Sequence, residues 1–257
     1  MQLAKSETQA EEYTAATVQR NAKLTAFSKR VTSKIAKSYL ERSAIFKLRY
    51  QAYLRGELIA PNSFRRYVEP ADHAANALLI GLYIDRSLIA SLRLQIGTKA
   101  APSLTSGDLF PELLQPLLQD DKLIVEMSCI ATDGDLARHH FWMPYIILRT
   151  WIAAAEYFCA DFIVTTAEPQ HQLFYQKTLG CRAHPEQRPL PYRRGPTSLL
   201  TLDFAASAER LYEKLPYLRS TPSERALLFN SDAISAEGKD LRQQSSKPAF
   251  LAAKFQF

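Results

Sequence analysis

Two settings in this sequence suit proton transfer and anion binding. In the β-rich run Leu123 to Ile130, side-chain alternation puts Ile124, Glu126, Ser128 and Ile130 on one face. Glu126 then stands between apolar neighbours, where desolvation raises a carboxyl pKa toward the range of a general base. A strand-edge salt bridge with Arg93 or Arg49 is the competing use of that carboxylate. Arg93 shares its strand face with Ser91 and Gln95, a polar row inside an otherwise apolar hairpin, and a guanidinium can grip a carboxylate with two parallel hydrogen bonds.

Other chemistries lack their residues. Cys129, Cys159 and Cys181 are odd in number and form no CxxC, so they read as buried thiols rather than a disulfide framework. His73, His139, His140, His171 and His184 show neither HExxH nor HxxxH spacing, and no metal is expected. The eight glycines cannot be assembled into a GxGxxG or a P-loop, which removes dinucleotide and nucleoside-triphosphate chemistry.

The elements that must hold these residues can be read along the chain. With 257 residues, 47% hydrophobic and 23% charged, it allows one large domain or two small ones. No run approaches the roughly 18 consecutive apolar residues of a membrane span. The start, Met1-Gln2-Leu3-Ala4-Lys5-Ser6-Glu7, has no apolar stretch behind a basic end, so a cytoplasmic location is expected.

Leu78 to Asp85 and Leu88 to Gln95 read as strands joined at Asp85-Arg86-Ser87, and Leu123 to Ile130 as a third. A helix from Met143 to Phe158, a strand from Asp161 to Thr166, a helix from Gln170 to Leu179 ending at the C-capping glycine Gly180, and a strand from Ser198 to Asp203 follow. This order predicts a mixed α/β sheet with flanking helices. The expected division is a basic helical arm over 1–40, a folded domain over 41–204 and a helical extension over 205–257. In the last, Thr221-Pro222-Ser223-Glu224 signals a helix start, and the Phe-rich segment 249–257 could fold back on the core.

The charge of +6 is concentrated at the N-terminus, where residues 1–50 hold ten Lys/Arg against four Asp/Glu and the remainder balances. On a helical wheel, Lys23, Arg30, Lys34 and Lys37 cluster beside an apolar stripe of Leu24, Phe27, Val31, Ile35 and Tyr39. A solvated face, an acidic protein, a nucleic acid and an anionic membrane surface all fit such a stripe.

The segment Phe174-Tyr175-Gln176-Lys177-Thr178-Leu179-Gly180-Cys181 resembles the strand-helix segment of the GNAT N-acetyltransferase superfamily, whose tyrosine there often serves as general acid. Further upstream, Phe46 to Tyr53, then Asp72, Ala90-Ser91-Leu92-Arg93-Leu94 and Glu126-Met127-Ser128-Cys129 are similar, in order and spacing, to the hallmark positions of acyl-homoserine-lactone synthases. Over residues 41–204 the chain most resembles their relatives, the N-acyl amino acid synthases. Cys129 stands where lactone synthases usually carry an arginine after Glu-x-Ser, and no tryptophan marks the loop after Tyr53, so lactone synthesis is not expected.

The resemblance implies a GNAT-like fold and transfer of a fatty acyl group from acyl carrier protein to an amino acid. Glu126 would be the base and Tyr175 the acid, since a phenol of pKa about 10 can protonate a thiolate whose conjugate acid is at about 8.5. Helix-face packing is the other use of Tyr175. Arg49, Asp72, Arg93 and Ser128 would contact acceptor or donor, unless the first three form a structural ion-pair network. No resident cofactor is implied. The loop Ala131 to His140 lacks the family's coenzyme A pyrophosphate cradle, and Gly134 with Arg138, His139 and His140 would hold a single phosphopantetheine phosphate. An acidic carrier protein would then dock on Lys23, Arg30, Lys34 and Lys37. Coenzyme A-dependent acetyl transfer, lactone synthesis and a silent binding module remain the alternatives, with nucleic acid disfavoured by the scarcity of aromatics among the basic residues.

Overall fold

The computed structural model of the chain describes residues 16–135 and 140–230. Helix α1 (residues 16–28) leads into strand β1 (Thr32–Ile35) and helix α2 (Tyr39–Arg55). Strands β2 (Ala77–Ile84) and β3 (Ser87–Gly97) are followed by helices α3 (Thr105–Leu109) and α4 (Pro111–Gln119) and strand β4 (Ile124–Thr132). Then come α5 (Met143–Phe158), β5 (Phe162–Ala167) and α6 (Pro169–Leu179). The short strands β6 (Arg182–Ala183) and β7 (Arg188–Pro189) precede β8 (Pro196–Asp203), α7 (Phe204–Lys214) and α8 (Pro222–Phe229).

The sheet runs β1-β2-β3-β4-β5-β8-β6, with β7 also on β8, and β4-β5 is its parallel pair. The β2-β3 turn is tight because Asp85 and Arg86 both adopt left-handed backbone, φ 47° and 68°, the geometry that matches strand twist in a two-residue hairpin. Each expected strand and helix of the βββαβαβ series is present with ends shifted by a few residues. Gly180 caps α6 at φ 80°, a conformation that costs a side chain but not glycine. Thr221 and Glu224 form the capping box that starts α8.

Strand alternation makes the two sheet faces chemically different. Ile80, Leu82, Leu92, Leu94, Ile96, Val125 and Met127 point into the main core, against α5, α6, α7 and α8. There Trp151 is fully buried and its indole N–H donates to the Val125 carbonyl at 3.0 Å, which satisfies the one polar atom that burial would otherwise strand. The opposite face carries α2, the 69–73 turn, α3 and α4.

One expectation fails. The basic stripe does not lie on one helix: α1 stops at residue 28 and residues 32–35 pair antiparallel with β2. Val31, Thr32 and Ile35 are β-branched, and the exposed edge of β2 offers them a ladder that outweighs the helical period. Leu24, Phe27 and Ile35 belong to the main core all the same, and so do Leu211, Tyr217 and Phe229 from the C-terminal segment. The Phe-rich tail 249–257 lies outside the described residues.

Candidate active site

The polar row on β3 is real and wholly buried: Ser91, Arg93 and Gln95 have no exposed surface. Buried polar groups need partners; loops on the α2 side supply them to Arg93 and Gln95, while Ser91 Oγ has none among the described residues. Arg93 donates from Nη2 to Glu69 Oε2 at 2.7 Å and to Thr105 Oγ1 at 2.9 Å, from Nη1 to Asp72 Oδ1 at 3.1 Å, and from Nε to Ser128 Oγ at 3.1 Å. Arg49 reaches the same Asp72 oxygen at 2.8 Å from α2. The other Asp72 oxygen accepts the Glu69 backbone N–H at 2.8 Å, which fixes the turn that carries both acids.

Arg49, Asp72, Arg93 and Ser128 are therefore brought together, but as an internal network. Arg49 and Arg93 have zero exposure and are engaged by Asp72 and Glu69, so neither guanidinium is open to a substrate carboxylate. The ion-pair use of these residues is the one that the geometry realises.

Glu69 was not singled out by the sequence, yet it sits at the centre. Tyr67 donates its hydroxyl to Oε1 at 2.5 Å, the Cys129 thiol donates to Oε2 at 3.2 Å, and Arg193 stands 4.0 Å away. Burial pushes the Glu69 carboxyl up, but Arg93, the Tyr67 hydroxyl and Arg193 outweigh it and hold the pKa at about 2. It is a permanent anion and a poor base.

Glu126 behaves differently. It is fully buried, and both carboxylate oxygens accept the Ser106 backbone N–H, each at 3.1 Å. Among the described residues no arginine lies within ion-pair distance of it. Burial, as its apolar strand neighbours predict, raises its pKa to about 7 against the opposing pull of Ser106 and Arg93. A carboxyl at about 7 has the acidity of a base for neutral pH, and its ion also anchors the 105–109 turn.

Next to these residues β4 changes course. Arg93 pairs with Ser128 and Ser91 with Ala131, so Leu92 faces both Cys129 and Ile130. Cys129 adopts φ 50°, and the pair is a β-bulge that turns both Ser128 and Cys129 toward the Arg93–Glu69 network. On its other edge β4 pairs with β5 only from Ile124↔Phe162 to Met127↔Thr165. Beyond that point the two strands part, and the β4 edge facing β5 loses its partner. The bulge and the parting coincide at residues 128–130.

Tyr175 lies across the sheet from Glu126. It belongs to the apolar core of the α5 side, beside Phe174, which meets Tyr145 of α5 at 5.6 Å between ring centroids. Burial raises its phenol pKa. The acid and the base of the sequence reading do not share one cleft, because the helix after β5 packs on the opposite face from Glu126.

Of the expected phosphate residues, Arg138 and His139 lie outside the described residues. His140 stacks on Phe27 of α1 at 5.6 Å. Gly134 lies beneath Arg55, where a Cβ would come within 2.5 Å of the guanidinium, and Arg55 donates to the Thr132 carbonyl at 3.1 Å. Lys23, Arg30 and Lys37 are exposed, while Lys34 is ion-paired with Glu41. Among the described residues no cluster of three or more His, Cys, Asp or Glu could hold a metal, and no helix is long and apolar enough to cross a membrane.

The fold and the sequence can now be set against known proteins. The structure of FeeM, an N-acyl amino acid synthase from uncultured soil microbes, superposes with a TM-score of 0.55 at 17% identity, over 68% of this chain and 92% of that one. BjaI, a CoA-dependent acyl-homoserine lactone synthase, gives 0.49 at 17% identity over 81% and 99%. Escherichia coli ElaA gives 0.46 at 14% over 66% and 97%. A comparison with curated proteins finds no match. The mixed sheet with its flanking helices is the GNAT acyltransferase fold. The family profile described as N-acyl amino acid synthase FeeM matches residues 44–203, a span that contains Arg49, Glu69, Asp72, Arg93, Glu126 and the β4 bulge, and the chain therefore belongs to that family and is an acyltransferase.

Proposed function

We propose that the enzyme transfers a fatty acyl group from the phosphopantetheine of acyl carrier protein to the amine of an amino acid. The observation that carries this reading is the coincidence of the β4 bulge with the parting of β4 and β5. Amide formation from a thioester needs donors for the tetrahedral oxyanion, a base for the amine and a proton for the thiolate. We assign the first to backbone N–H groups of residues 128–130, where β4 bulges and its pairing with β5 has ended. The amine enters from the α2 face, where Glu126 takes its proton, and the thioester from the α5–α6 face, where Tyr175 returns one to sulfur. In this arrangement base and acid need not touch; each serves one face of the same opening.

The carrier-protein donor is supported by two features. Gly134 stands without a second loop glycine to cradle a pyrophosphate, and the Arg55 guanidinium over it is the group we assign to a single phosphate. Phe27 meets His140 at 5.6 Å between ring centroids and the exposed Arg30 lies 5.9 Å over the Phe27 ring, so positive charge stands near His140, where an acidic carrier would be steered. The test is thiol release from a fatty acyl carrier protein and from the matching acyl coenzyme A, with the twenty amino acids as acceptors and mass spectrometry of the product. An N-acyl amino acid formed faster from the carrier protein is the expected result. Turnover from coenzyme A alone would refute the donor, and turnover with amines but no amino acid would refute the acceptor.

A further inference from the structure

A second set of arginines lies just outside the buried network. An open pocket of about 490 Å³ is formed between the 58–68 loop and the 191–194 loop, and its lining includes Arg66, Arg193 and Arg194 but no Asp or Glu. The two loops are stitched together: the Arg194 N–H donates to the Leu58 carbonyl at 2.8 Å, and Tyr67 reaches the Tyr192 carbonyl at 3.5 Å. The pocket floor, Tyr67 and Arg193, touches Glu69, whose other oxygen holds the bulge residue Cys129.

Arg193 is the positioned member. Its Cζ lies 5.2 Å over the Tyr53 ring, its side chain is 15% exposed, and its Nε, buried on the Glu69 side, has no hydrogen-bond partner among the described residues. At 4.0 Å its nearest carboxylate, Glu69, is beyond hydrogen-bond reach and is already engaged by Arg93 and Tyr67. Of the other two, Arg66 is tied by Nε to Ser43 Oγ and Arg194 is exposed. Three guanidinium groups line the pocket against one carboxylate, Glu69, which lies behind Arg193 and outside the lining, so the pocket keeps a positive surplus suited to an anion, and a planar fork held by a ring face suits a carboxylate.

We infer that Arg193 binds the α-carboxylate of the acceptor amino acid, making this pocket the site that selects amino acids over simple amines. The inference rests on the acceptor proposed above and deepens it. Arg93 is fully buried and engaged, and Arg49, although its Nε and Nη2 lack hydrogen-bond partners, has no exposed surface, so of these arginines only Arg193 borders the pocket.

The experiment compares the amino acid turned over fastest with its α-carboxamide, in wild type and in Arg193→Gln and Arg193→Lys. The wild-type KM for the carboxamide is expected to exceed that for the amino acid about 10- to 100-fold, the effect of losing a charge-assisted contact. Arg193→Gln should raise the KM for the amino acid toward that of the carboxamide, and Arg193→Lys should recover part of the difference. Equal KM values for the two substrates in wild type would overturn the inference, and that arm needs no variant to fold. An equal rise for both substrates in Arg193→Gln would overturn it too. Calorimetric titration of the twenty amino acids without donor separates this inference from the proposed reaction. Binding that is lost with Arg193→Gln supports the pocket even if no acyl transfer occurs, and no binding at all refutes it.

Discussion

Replacing Glu126 by Gln measures what it costs to keep a carboxyl in a dry place. Burial lifts the Glu126 pKa from its ordinary 4.5 to about 7, against the Ser106 N–H and Arg93. A carboxyl whose folded pKa is raised binds its proton more tightly in the native state than in the unfolded chain. Between those two values the native state therefore holds a proton the unfolded chain has released, and stability falls as pH rises. At about 1.36 kcal/mol per unit, the full loss is about 3 kcal/mol, of which about 2.5 falls between about pH 5 and about pH 8. Glutamine keeps the size and an acceptor for Ser106 but does not titrate. Denaturant melts of wild type and Glu126→Gln across that range should show wild type losing about 2.5 kcal/mol relative to the variant. Subtracting the variant removes every other titrating group that the substitution leaves alone. A difference that stays flat with pH would refute the burial argument and with it the case for a base near neutrality. The same variant should lose about 10²- to 10⁴-fold in turnover if Glu126 takes the amine proton; intact turnover would leave Ser106 anchoring as its only role.

Glu69 should titrate with the opposite sign. Burial is outweighed by Arg93, Tyr67 and Arg193, so its pKa drops from 4.5 to about 2, and its stabilisation is present above 4.5 and drains away as pH falls toward 2. Acid-unfolding curves of Glu69→Gln should lack that limb, and a limb identical to wild type would count against the assignment. Tyr175→Phe should keep the melting temperature within a few degrees and lower kcat by about 100-fold if the phenol protonates the thiolate; unchanged kcat confines Tyr175 to packing. Gly97→Ala should destabilise by about 1–3 kcal/mol through overpacking, because a Cβ there meets the buried Leu104 side chain at 2.8–3.1 Å. Chemical denaturation reads this directly, and a neutral result would mean that Leu104 moves freely.

The sheet and its polar row were legible because local signals agree with the fold. The Asp85-Arg86 turn, the α5 period, Gly180 and the Thr221 capping box all act over a few residues, and alternation alone put Ser91, Arg93 and Gln95 on one face. Helix α2 had its own signal, since Ser38 and Glu41 form a capping box with the spacing that marks a helix start. Strand β1 was missed because Val31 and Ile35 fit a helical stripe as well as a strand, and only the free edge of β2 decides between them. Glu69, Tyr67, Ser106 and Arg193 could not be read, since each gains its role from a loop contact with a distant residue. Arg193 lies 124 positions from Glu69 in the sequence. The bulge at Cys129 is likewise set by a register shift against β3 and leaves no compositional mark.

The wholly buried Arg93–Glu69–Asp72 assembly limits how this protein can diverge. Removing one member strands the charges of the others away from water, at about 3–5 kcal/mol, whereas replacing the set together with well-packed apolar residues can be neutral. Drift at these positions is therefore locked step by step and open only as a joint change. Within the loops at residues 58–68 and 191–194, Tyr67 and Arg193 share the lock through Glu69, whereas exposed neighbours such as Arg66, Tyr192 and Arg194 do not touch it and are the places where a new acceptor preference can arise by single substitutions.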